Sequence, residues 1–184
     1  MHKLSYLLIA VLLCGCADVR YRETKTGKLK GRLIVQWIDQ DEFIVRPDKE
    51  RPLTFTRYNN ETITPEAMYT DGGSIPRPLW AFRSYSPWGY APAFIMHDWL
   101  FHMKHCQLPG YERYSVEEAA RVLSEVMKTI MEDDQQGNKL ALYSTFEAVR
   151  SPIASNLWNS GKCIQPPADL EDRNARIEYV IDYP

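Results

Sequence analysis

Hydrophobic and polar positions follow three rhythms in turn along this chain. Leu4 to Leu13 is an almost unbroken apolar run behind the short basic start Met1 to Lys3. From Gly31 to Ile38 the apolar positions alternate, with Leu33, Val35 and Trp37 on one face, which is the two-residue period of a strand. Asp39 to Asp41 reads as a turn and Glu42 to Arg46 as a second short strand. Leu53 to Arg57 gives a third, with Leu53 and Phe55 inward, and Thr62 to Thr64 a fourth, stopped by Pro65. Such short spacings predict an antiparallel meander. The period then lengthens, and Tyr90 to His105 becomes helical. Ser115 to Asp133 is the clearest helix, opened by the capping pair Ser115 and Glu118. Its apolar stripe runs through Val116, Ala119, Ala120, Leu123, Val126, Met127 and Ile130. Lys139 to Val149 predicts a third helix, Pro152 interrupts it, and Ile153 to Trp158 predicts a short fourth. Ile177 to Ile181 reads as an edge strand. The expected fold is one α+β domain: small antiparallel strands in the N-terminal half, packed against three or four helices.

The first apolar run is too short to span a bilayer and has the size of a signal-peptide core. The residues that close it, Leu13-Cys14-Gly15-Cys16, resemble a bacterial lipobox. That resemblance implies cleavage before Cys16 and acylation of its thiol, a stable anchor to the lipid bilayer. Ala17, where an aspartate would retain the protein, resembles the signal for outer-membrane sorting. The expected organisation is a signal peptide over 1–15, a lipidated tether over 16–30 and a single domain over 31–184. The expected place is the cell envelope, at the outer membrane facing the periplasm.

Composition refines this picture. The 184 residues carry 22 basic and 24 acidic side chains, a net charge of −2, so no basic excess is available to neutralise phosphates and no nucleic-acid partner is expected. Without its first 15 residues the chain has 169, and its three remaining histidines, His97, His102 and His105, fall within nine positions. Cys106 and Cys163 remain outside the signal region. An exported chain leaves them open to a disulfide or to two separate thiols.

At about 100° per residue, Asp98, His102 and His105 share an arc of about 60° on the helix from Tyr90. Almost every other side of that helix is apolar, so it is expected to be buried, and a buried carboxylate must find a partner. Asp98 could cap the loop at Asp71 or pair with Arg77 or Arg83. The arc also has the geometry of a zinc face, although His102 and His105 could equally be surface residues at a fraying end. His97 alone would pass for a core histidine. Thr70-Asp71-Gly72-Gly73-Ser74 reads as a tight loop in which Asp71 accepts backbone hydrogen bonds.

The stretch from Ile63-Thr64-Pro65 through Thr70-Asp71-Gly72-Gly73-Ser74-Ile75-Pro76, Trp80, Gly89 and Ala93 to His97-Asp98-Trp99-Leu100-Phe101 resembles the domain-of-unknown-function family 1353. The resemblance extends over a core of about 33–158, and members are common in phages, prophages and bacterial genomes. The same loop and helix are more distantly similar to secreted bacterial and fungal phospholipases A2. That similarity implies His97 as general base for water, Asp98 and Asp71 as calcium ligands, and Gly72, Gly73 and Ser74 as supports for the ion or the oxyanion. Those enzymes steady the histidine with a carboxylate from the next long helix. The matching position here is Ala120, which leaves Glu117, one turn earlier, as the candidate orienting carboxylate. Phe101 stands where a tyrosine is usual.

The expected function is a structural or protein-interaction role for an outer-membrane lipoprotein in the cell envelope. Its partners would be the bilayer, through acylated Cys16, and an envelope protein, phospholipid or peptidoglycan. The alternative is a calcium-assisted ester hydrolase using His97, Asp98 and Asp71. No cofactor is certain: calcium is the ion the resemblance implies, and zinc is the weaker candidate.

Overall fold

The longest strand, β1 (Lys28–Asp39), owes its length to the three partners ranged along it. Lys28 to Lys30 pair with β3 (Thr54–Thr56), and Gly31 to Trp37 pair with β6 (Ile177–Tyr183). From Leu33 onward the strand also pairs with β2 (Glu42–Pro47). β4 (Thr62–Ile63) extends the sheet beyond β3, and β5 (Met68–Thr70) beyond β2. These strands pair antiparallel throughout. The handover from β3 to β6 falls at Gly31, whose φ is 96°. A Cβ there would lie 2.2 Å from the Pro52 carbonyl oxygen, so glycine alone lets the Arg51–Pro52 backbone lie against β1. Arg32 N–H closes that contact by donating to the Arg51 carbonyl at 2.7 Å.

This computed structural model describes residues 15–39, 42–70, 87–134, 137–166 and 177–184. The signal-peptide core Leu4–Leu13, the turn at 40–41, the loop residues Asp71, Gly72, Gly73 and Ser74, and the segment Arg77–Trp80 lie outside the described residues.

Four helices follow the strands: α2 (Ala91–Cys106), α3 (Val116–Asp133), α4 (Lys139–Val149) and α5 (Pro152–Ser160). A helix over residues 15–23, α1, precedes them in the chain. The fold is α+β, as the patterning predicts. α3 is its hub, touching α2, α4, α5 and β1. The core runs from Leu33 and Phe55 of the sheet through Met96 and Leu100 of α2 to Leu123 and Met127 of α3. Because α3 is covered on several sides, its buried face also takes in Val122, Ser124, Glu125 and Thr129, beyond the expected stripe. Ser115 caps it as predicted, accepting from Glu118 N–H at 3.1 Å. The Glu118 side chain, however, turns to Arg57 at 2.6 Å instead of back toward Ser115.

The stretch expected as a tether is structured. Ala17 of α1 is buried, and the Arg20 guanidinium lies 4.2 Å from the Phe146 ring centre. Asp18 pairs with Lys139, Lys128 Nζ donates to the Thr24 carbonyl at 2.9 Å, and Gly27 N–H donates to Thr129 Oγ1 at 2.9 Å. Its polar residues dock through ion pairs and backbone hydrogen bonds, a kind of attachment that hydrophobic periodicity does not reveal. Among the described residues no helix is long and apolar enough to cross a membrane.

Candidate functional site

α2 is apolar nearly all round, and ten of its sixteen residues are buried. Pro92 lies in its first turn, and Gln107 ends it in the left-handed region at φ 51°. His97 and Asp98 sit at its middle. The Asp98 carboxylate is held from two directions. Thr70, the last residue of β5, donates its hydroxyl to Oδ2 at 2.7 Å, and His97 Nδ1 lies 3.4 Å from Oδ1. The His97 ring packs on Phe101 at 4.7 Å between ring centres, and its Nε2 is buried with no hydrogen-bond partner among the described residues. A buried ring nitrogen left without a partner costs about 1–3 kcal/mol.

Both residues open into a cleft of about 500 Å3 between α2, the end of α4, α5 and the segment after it. Thr70, His97 and Asp98 form its polar end. Phe101, Val149, Ile153, Leu157 and Ile164 make most of the remaining wall apolar. A disulfide between Cys106, at the end of α2, and Cys163 fastens that last segment to the helix, carrying Lys162 and Ile164 to the cleft. Gly161 adds to the fit, because its backbone passes so close over the His105 ring that a Cβ would collide with it.

His102 and His105 line the same cleft, each engaged by a neighbour of its own, while Asp71, Gly72, Gly73 and Ser74 lie outside the described residues. His105 Nε2 pairs with the Leu157 carbonyl at 3.0 Å. His102 stacks on Trp99 at 5.5 Å, and burial, reinforced by the charge of His105, holds its pKa below the ordinary histidine value. Sharing an arc did not bring Asp98, His102 and His105 onto one ion, because each ring is engaged by a different neighbour. Among the described residues no group of three or more His, Cys, Asp or Glu is placed to hold a metal. Of the residues expected to hold calcium, Asp98 is in the cleft, and Asp71 with its loop lies outside the described residues. Glu117 does not orient His97. Its carboxylate faces Arg121 at 3.7 Å and Arg150 at 3.8 Å, because its position on α3 lies off the buried stripe. Ala120 is fully buried, and Cys16 is an exposed free thiol.

Thr70 is the residue at this polar end to which the sequence pattern gives no role. It stood at the head of the noticed loop motif, but a three-residue strand has too few positions to show a period.

A family model described as "Protein of unknown function (DUF1353)" matches residues 50–142, half of the chain. That span contains Thr70, His97 and Asp98, whereas the α5 and Cys163 wall of the cleft lies beyond it. No curated protein and no solved structure matches the chain.

Proposed function

The chain belongs to the DUF1353 family, and from that premise we propose that it is an ester hydrolase with His97 as general base. One observation carries the reading: a buried histidine faces a carboxylate through Nδ1 and keeps Nε2 unpartnered, in the wall of a large, mostly apolar cleft. Imidazole is the side chain suited to accept a proton near neutral pH. As water adds to the ester carbonyl, its proton passes to Nε2, and the nearby Asp98 carboxylate offsets the charge of the imidazolium. The same proton then moves to the departing alcohol oxygen as the carbon–oxygen bond breaks. The apolar wall takes the aliphatic part of the substrate and excludes water from it.

The test is hydrolysis of acyl esters of graded chain length by the full chain in detergent, with and without added calcium. Turnover that falls at least a hundredfold in His97→Ala is the expected result. Turnover unchanged by His97→Ala, or absent with every ester, removes the reading. A calcium requirement would support Asp71 and Asp98 as ligands.

A second reading rests on the exposed rim of the same cleft, formed by α5 and the segment after it. Ile153 is 75% exposed, Leu157 52% and Ile164 62%, an apolar rim suited to a partner protein in the cell envelope. In both readings Cys16 is the proposed lipid attachment, supported by its exposure. Palmitate labelling that is lost in Cys16→Ala is the expected outcome.

A further inference from the structure

Two oxygens of one carboxylate serve two different elements in this site. Asp98 Oδ2 accepts from the hydroxyl of Thr70 on β5, and Oδ1 faces Nδ1 of His97 on α2. Thr70 is itself fixed: it is buried, and its strand pairs with β2 through the Phe43–Thr70, Ile44–Tyr69 and Val45–Met68 positions. The sheet therefore holds the hydroxyl, the hydroxyl holds the carboxylate, and the carboxylate meets the ring. A carboxylate one residue away on the same helix has several rotamers open to it, and only some bring an oxygen to the ring of its neighbour. A hydrogen bond from outside the helix selects among them.

We propose that Thr70 is a positioning residue: by anchoring Asp98 Oδ2 it aims Oδ1 at His97 and fixes the neutral ring as the Nδ1–H tautomer, leaving Nε2 as the free base. This rests on the reading of His97 as a general base. It replaces the orienting carboxylate that Ala120 cannot supply with a neighbour on α2 itself, held in turn by the sheet. The carboxylate accepts from both sides, so it both orients the ring and steadies the imidazolium. Tyr69, His102, His105 and Lys162 also line this cleft, and no hydrogen bond links any of them to the His97 ring.

The experiment reads the tautomer directly. Long-range proton–nitrogen NMR spectra of the full chain, recorded over a pH series and read on the neutral ring, distinguish Nδ1–H from Nε2–H. The wild type is expected to show Nδ1–H at His97. Thr70→Val, which keeps the shape and loses the hydroxyl, is expected to give a mixture or the opposite tautomer, and Thr70→Ser is expected to restore Nδ1–H. An Nε2–H ring in the wild type, or the same tautomer in Thr70→Val, overturns the proposal. If Thr70→Val does not fold, Asp98→Asn is read in its place: the same shift is expected, and an unchanged tautomer again overturns the proposal. A parallel kinetic measurement separates this inference from the reading beneath it. With ester turnover present, Thr70→Val should lower kcat about tenfold or more with KM little changed. With no turnover in the wild type, the hydrolase reading fails while the tautomer result still decides the role of Thr70.

Discussion

Arg57 grips Glu125 with two parallel hydrogen bonds, from Nε at 2.7 Å and from the second amino group at 2.8 Å, in a setting where both side chains are almost fully buried. The same guanidinium reaches Glu61 at 2.9 Å and Glu118 at 2.6 Å. It thus pins the β3–β4 turn to α3, on which the site helix rests. Burial pushes the Glu125 carboxyl above its ordinary value despite the pull of Arg57, so the pair is tolerated by the fold more than it drives it. Removing Arg57 strands Glu125, whereas Arg57 without Glu125 keeps Glu61 and Glu118. Arg57→Ala should cost about 3–5 kcal/mol in urea unfolding, and the double change Arg57→Met with Glu125→Leu should recover part of that loss. A single variant as stable as the wild type would show that the pair carries no weight.

Acid should attack this network at Glu61. Burial raises its carboxyl, but the hydrogen bonds from Tyr114, at 2.7 Å, and from Arg57 outweigh it, and the net direction is below the ordinary value of 4.5. A depressed folded pKa gives stability that is complete above about pH 4.5 and drains away as pH falls through the lower value. Glu61→Gln should therefore flatten the acid side of the stability curve, measured as urea midpoint against pH. A curve of unchanged steepness would remove Glu61 from the acid response.

The wall of the cleft depends on a cross-link. Cys106 and Cys163 are 57 residues apart, and closing a loop of that size restricts the unfolded chain by about 4 kcal/mol in the chain-entropy model. Cys163→Ser should lower the melting temperature of the oxidised protein, and hydrogen exchange should rise over 161–166 while α3 stays protected. Unchanged exchange in that segment would mean that the Gly161–His105 contact alone holds it.

What could be read from the sequence was local, and what could not depended on partners far along the chain. The Ser115 cap and the stripe of α3 are set by residues three or four apart, so they showed in the pattern. That an apolar helix carries His97 and Asp98 at its middle was visible too, but not their contact, since adjacent helical residues diverge by about 100°. Thr70 lies 28 positions from Asp98 on a strand too short for any period. His105 went to a carbonyl of α5, 52 positions on, which no helical wheel could anticipate. The docking of residues 18–27 on α3 and α4 was not visible, because charge pattern cannot separate a solvated segment from one held by ion pairs.

His97 itself offers the sharpest test of whether the site is built for chemistry. Its Nε2 is buried with no partner among the described residues, and an unmet ring nitrogen costs about 1–3 kcal/mol. Leucine at the same position would keep the contact with Phe101 and remove the unmet nitrogen. Asp98 would lose the ring but keep the hydroxyl of Thr70, and its side chain is 23% exposed, so water can take the vacated oxygen. His97→Leu should therefore leave stability unchanged or raise it by about 1 kcal/mol, while ester hydrolysis is lost. A histidine kept only for packing behaves the other way, losing stability on replacement and leaving no activity to lose. Denaturant midpoints and turnover measured on the same two proteins distinguish these outcomes.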